Sequence, residues 1–198
     1  MEVFAESGYP VLFEQVRRLI GMGGDKLLPR VAAVNGKSDE GKRLGKRQGE
    51  IFRERFLPSL RPFPGVRELL ERMRADRLTL VIATSAHDKD MRLLLDQAGV
   101  ADLIAEHASS SDAKESKPDP DIVQAAVELS GHRAEECVML GDTPYDVEAA
   151  TAAGVPVVAL RSGGWDDAGL RGALAVYADA ADLLAQYESS PFANAVAG

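Results

Sequence analysis

The sequence has 198 residues, 45% hydrophobic and 27% charged, with 31 Asp and Glu against 23 Lys and Arg for a net charge of −8. The apolar content supports a core of one compact domain plus a small accessory module, and the acidic balance excludes the broad basic footprint that nucleic acid requires. Apolar runs such as 78–83 fall far short of the roughly 20 residues of a membrane span.

Residues 11–60 read as helical and polar-rich. Val11, Leu12, Val16, Leu19 and Ile20 recur at helix spacing, Gly21, Met22, Gly23 and Gly24 interrupt, and Leu27, Leu28, Val31 and Val34 resume, with Pro29 marking a helix start or kink. A third helix is predicted from the N-cap Ser38 to Phe56, and no strand is needed in this part.

Arg61, Pro62, Phe63, Pro64 and Gly65 form a hinge, which sets a helical domain at 1–60. From there signals alternate. Helix Val66–Met73, strand Leu78–Ala83, helix Met91–Ala98 ended by Gly99, and a weaker strand Leu103–His107 come first. Helix Ile122–Leu129, strand Cys137–Leu140, helix Val147–Ala153 ended by Gly154, and strand Val155–Leu160 follow. This predicts an α/β core at 61–188, a parallel Rossmann-like sheet with helices on both faces, and a small polar tail at 189–198.

In such sheets chemistry gathers beyond the carboxyl ends of the strands. Thr84 and Ser85 follow the strand at 78–83 and precede a helix, a hydroxyl-and-amide arrangement that suits a phosphate or serves only as a local cap. Asp142 and Asp146 stand at the end of the strand at 137–140 and in the first turn of the next helix. Four residues apart, they can converge on a hard cation such as Mg²⁺, or act as a helix cap and a charge at its positive end. Lys117, directly before Pro118, has an extended backbone ahead of a helix, so its ammonium is aimed.

With Thr84 after an apolar strand, Lys117-Pro118-Asp119, and Gly141-Asp142-Thr143 leading to Asp146, the chain resembles the haloacid dehalogenase-like hydrolase superfamily over nearly its whole length. Phosphoglycolate phosphatases and phosphosugar mutases of the β-phosphoglucomutase kind are nearest in style. The resemblance implies that residues 1–60 are a helical cap, that a small phosphorylated metabolite is the substrate, and that reaction passes through an aspartyl-phosphate. It gives Thr84 and Lys117 the catalytic roles, with Thr84, Ser85 and Lys117 on the phosphate, and Asp142 and Asp146 the metal. Gly23, in the loop Gly21–Gly24, falls where relatives select substrate. That loop has no Arg for the second phosphate of a mutase substrate, which favours a phosphatase of small monophosphates.

The family carries its nucleophilic Asp, and an acid/base Asp two residues on, at the end of a first core strand upstream of the cap. No apolar strand followed by Asp-x-Asp occurs before residue 61. Asp88 to Asp90 and Asp119 to Asp121 do not directly follow a strand end. The chain is therefore expected to lack the nucleophile and, as given, to be inactive, with a homo-oligomer only if another protomer supplies a strand in trans. A phosphosugar mutase relative, a non-catalytic binder of phosphate compounds and a response-regulator-type receiver are the alternatives; the helical cap counts against the last. Cys137 is assigned to the core. A lone cysteine closes no internal disulfide, and Met1–Phe4 has no basic-then-apolar leader, so the expected location is the cytoplasm. His87, His107 and His132 share no metal-ligand spacing, and Trp165 borders the site mouth or covers the core.

Overall fold

The computed structural model describes residues 1–194 and divides into two compact units, Met1–Leu60 and Arg61–Gly198.

The first unit contains α1 (Glu2–Glu6), α2 (Phe13–Arg17), α3 (Gly24–Ala32) and α4 (Asp39–Ile51), the last extended by a π-helical turn, Phe52–Phe56. Ser38 caps α4 as expected, its hydroxyl accepting from the Gly41 amide at 3.1 Å. Pro29 lies inside α3. The helix expected around residues 11–20 is only the five residues of α2, none of them fully buried, with Val16 packed against the core's edge. Val3, Phe4, Leu28, Val34, Leu44 and Ile51 form this unit's core. No strand forms here, only an isolated bridge between Ile20 and Met22.

The second unit holds the sheets. Helix α5 (Val66–Ala75) leads to β1 (Val81–Ala83), α6 (Asp88–Ala98) to β2 (Glu106–Ala108), and α7 (Asp121–Ser130) to β3 (Met139–Gly141). Then come α8 (Pro144–Ala152), β4 (Val157–Leu160), β5 (Ala175–Tyr177), α9 (Ala180–Ala185) and α10 (Pro191–Asn194). Every strand pairing is parallel, as the alternation predicts.

The expected single sheet is divided into β1-β2 and β3-β4-β5. Burial follows the pairing. β4, paired on both sides, buries Val157, Val158 and Ala159, whereas every residue of β1 and β3, each paired on one side, is only half-buried. The strands are also shorter than the apolar runs that encode them: Leu78, whose amide bonds the Met73 carbonyl at the end of α5, packs into the core ahead of β1.

Alternate residues of β4 serve two cores. Val157 and Ala159 pack with Ile122 and Val123 of α7 and Val147, Ala149 and Ala150 of α8; Ala83 of β1, Ala108 of β2 and Met139 of β3 belong to this same cluster. Val158 faces the other way, onto Leu69 and Met73 of α5, Leu183 of α9, Tyr177, Tyr187 and Phe192. One core therefore joins the two sheets even though no ladder does.

The strand β5 and helix α9 were not expected, although Gly172, the run Leu174–Tyr177 and the N-cap Asp179 carry their signal. The stretch expected as a polar tail at 189–198 is packed where it is described: Ser190 is fully buried, and Phe192, 5% exposed, joins the core cluster of Leu69, Met73, Leu183 and Tyr187. Residues 195–198 lie outside the described part. Phe192→Ala is expected to destabilise the protein by about 3–5 kcal/mol in urea unfolding; a value near zero would mean that the segment is a tail after all.

Candidate active site

Lys117 and the acidic pair come together at the carboxyl end of β3. Thr143 is the N-cap of α8 and Pro144 opens its first turn. The Asp146 carboxylate turns back over that turn: its Oδ2 accepts from the Asp142 amide at 3.1 Å, the Thr143 amide at 3.0 Å and the Thr143 hydroxyl at 2.8 Å. Its Oδ1 accepts from Lys117 Nζ at 2.6 Å. Asp146 is 4% exposed, and the Lys117 side chain 11%, so this is a buried ion pair across 29 residues of sequence. Gly141 makes it fit, since a Cβ there would lie 2.5 Å from the Asp146 Cβ.

The two carboxylates have opposite electrostatics. Burial pushes Asp146 up, but the Lys117 charge and hydrogen bond, with the Thr143 hydroxyl and the Asp142 amide, outweigh it and hold the group below its usual range. Asp142 is raised, first by burial and then by the neighbouring Asp146 charge, with only a smaller opposing pull from Lys117.

The division bears on Mg²⁺. Both Asp146 oxygens are already used as acceptors, whereas Asp142 is a hard oxygen donor in a region short of positive charge. Among the described residues no group of three or more His, Cys, Asp or Glu could hold a metal. The donor chemistry fits a cation that keeps much of its water and takes one carboxylate here, as Mg²⁺ does. Asp142 is thus the candidate ligand, and Asp146 holds Lys117 and the turn.

Thr84 follows β1, its amide bonded to the Ala108 carbonyl at 3.0 Å, and its hydroxyl accepts from the Ala86 amide at 3.1 Å. The Ser85 hydroxyl is buried and has no hydrogen-bond partner in the structure. Lys117 stands between β2 and α7, and its peptide bond to Pro118 is cis. Gly23 belongs to the first unit, where it is the N-cap of α3. Sequence reasoning missed two features: Gly163 and the edge-on contact of Trp165 with Tyr145, whose rings are 6.4 Å apart at 84°. The glycine pair Gly163-Gly164 directly before Trp165 was the available signal.

The family model described as haloacid dehalogenase-like hydrolase matches residues 1–160. A phosphoglycolate phosphatase of Rhodospirillum rubrum is 32% identical over 179 residues, covering 85% of this chain and 73% of its own length. A second, from Mesorhizobium japonicum, is 31% identical over 150 residues, covering 74% of this chain and 66% of the relative. Among solved structures, a hydrolase from Pseudomonas syringae superposes with a TM-score of 0.87 at 30% identity, covering 95% of this chain and 88% of the other. A β-phosphoglucomutase from Clostridium difficile reaches 0.78 at 17% identity, covering 100% and 89%, which shows a shared fold. No described helix is long and apolar enough to cross a membrane.

Two substitutions separate the carboxylates. Asp146 has a depressed folded pKa, so its contribution is complete above the ordinary aspartate value near ~3.9 and is lost as pH falls through the lower folded value. Asp146→Asn should therefore cost about 3–5 kcal/mol at pH 7 in urea unfolding, from stranding Lys117, with the gap closing in strong acid. For Asp142 the sign reverses. Its raised folded pKa makes ionisation a penalty on the folded state that grows as pH rises from the ordinary value and is complete above the folded one. Asp142→Asn should raise the unfolding temperature at pH 7 in metal-free buffer and leave it unchanged at pH 3; a lowered midpoint at pH 7 would contradict this.

Proposed function

The chain belongs to the haloacid dehalogenase-like hydrolases, and on that footing we propose that it carries the phosphate- and Mg²⁺-handling part of a phosphatase that cleaves a small phosphomonoester through an aspartyl-phosphate. The observation that carries the reading is the buried Lys117 to Asp146 contact beside an undercompensated Asp142. A phosphoryl group in transfer spreads negative charge over its oxygens, and fixed donors and cations lower that barrier.

Asp146 holds the Lys117 ammonium in one place, and an ammonium has three N–H donors, more than one carboxylate oxygen uses. Lys117 then meets the charge of the phosphate. Thr84 and Ser85 supply hydroxyls to the phosphoryl oxygens; the unpartnered Ser85 hydroxyl supports that role. Asp142 would hold Mg²⁺, which supplies charge neutralisation when bound. Gly23 belongs to substrate selection in the first unit, proposed to be the cap, with 61–188 as the core. Because the curated relatives are named phosphoglycolate phosphatases, phosphoglycolate is the first substrate to test.

The attacking carboxylate is not among the 198 residues in the expected place. Asp88 is engaged by Arg92 at 2.9 Å and His107 at 2.8 Å, and Asp121 accepts from the Lys114 and Glu115 amides at 3.2 Å. By this reading the chain alone does not turn over. Fusing an apolar strand that ends in Asp-x-Asp ahead of Met1 should create Mg²⁺-dependent hydrolysis of phosphoglycolate or an aryl phosphate, and Asp142→Ala in that fusion should abolish it. Activity undiminished by Asp142→Ala would remove the metal assignment, and equal activity in the unfused chain would remove the claim of a missing nucleophile.

A further inference from the structure

We propose that the turn following β4, Arg161–Trp165, is a positioning element that sets where the Asp142 carboxylate stands. The inference rests on the reading of Asp142 as the Mg²⁺-holding group, and adds what places it.

The Asp146 carboxylate is held by four hydrogen bonds, one of them from the Asp142 amide, and Asp142 is further placed by contact with Gly163. A Cβ built on Gly163 would lie 2.0 Å from the Asp142 carbonyl oxygen, 2.8 Å from its carbonyl carbon and 2.9 Å from its Cβ. The obstruction is mainly backbone, so no side-chain rotation relieves it. The bare Gly163 backbone therefore lies against the root of the Asp142 side chain. Gly164, at φ 82°, takes the left-handed conformation that lets the turn reverse there.

Trp165 fixes the turn to the same loop from the other side. Its ring meets Tyr145 edge to face, and Tyr145 directly precedes Asp146 in α8. A Cβ on Gly169 would lie 2.9 Å from Trp165 Cε3, so the ring also packs on bare backbone there. Trp165 is clamped between Tyr145 and Gly169, and Gly163, two residues earlier, is pressed on Asp142. An aromatic edge contact of this kind adds modestly to what burial alone contributes, enough to bias a loop without holding the fold.

The test is a Mn²⁺ titration of the ¹⁵N-labelled 198-residue chain, read as paramagnetic broadening of amide signals around Asp142, with thermal unfolding in parallel. The wild-type chain should show broadening centred on Asp142 and Thr143, and Asp142→Asn should lose it. Gly163→Ala should move the midpoint to Mn²⁺ concentrations about 10-fold higher or more, the range seen when groups that orient a metal ligand are removed. Trp165→Leu should move it in the same direction at an unchanged fold, and Trp165→Phe should restore it; this pair decides the matter if Gly163→Ala does not fold. Wild-type midpoints in Gly163→Ala or Trp165→Leu, with Asp142→Asn still silent, would overturn the positioning role while leaving Asp142 as the metal group. No localised broadening in the wild type would overturn the metal assignment and this inference with it.

Discussion

The second unit depends on one carboxylate being satisfied. Asp146 is 4% exposed, and an ionised group at that depth persists only when charge and hydrogen bonds replace its water. Its four donors come from three residues: the Asp142 amide, the Thr143 amide and hydroxyl, and the Lys117 ammonium. Those bonds cap α8, shape the turn after β3 and bring in the loop between β2 and α7. A buried pair of this kind is weak grounds for net stability, because desolvation offsets much of the attraction. Its consequence is geometric: Lys117 has one place to be.

From this follows the division of labour between the two acids. Two carboxylates in one turn cannot both be fully compensated by a single lysine. Asp146 takes the lysine and the cap, and its own charge then adds to what burial does to Asp142. Neighbouring acids pushed in opposite directions by their surroundings are a common arrangement of functional sites. Here Asp146 is compensated by the protein and Asp142 much less so, which is the asymmetry the proposed metal role of Asp142 rests on.

Much of this was legible in the sequence, and the misses have physical causes. The helix and strand order from Val66 to Leu160 followed from periodicity, and Ser38 and Gly99 marked helix ends where they stand. The strand β5 is hard to read because its apolar run, Leu174–Tyr177, is four residues long, shorter than the runs at 78–83 and 155–160. Phe192 was missed because small polar neighbours hide one aromatic anchor. At the site, the spacing of Asp142 and Asp146 puts both acids on one turn but does not tell them apart. The fold does: Asp146 accepts hydrogen bonds on both oxygens, Gly141 leaves room for the Asp146 side chain, and Gly163 lies against the Asp142 backbone from a segment distant in sequence.

The last consequence concerns the divided sheet. Thr84 and Ser85 follow β1, and Asp142 follows β3, so the candidate site residues stand at the ends of strands that each pair on one side only, in different sheets. Parallel sheets bind ligands where strand order changes direction, outside the carboxyl ends. No ladder holds the two groups in register among the described residues, and two other links do so. One is the shared core, in which α7 packs on β1 and β2 and touches α8. The other is the ion pair, because Lys117 follows β2 in one sheet and Asp146 follows β3 in the other. Lys117, proposed to meet the phosphate charge, is therefore also a tether between the two sheets. Its reach across the division explains why a buried charge pair stands where an apolar contact would be less costly: an apolar contact would fill the space, but it would aim nothing.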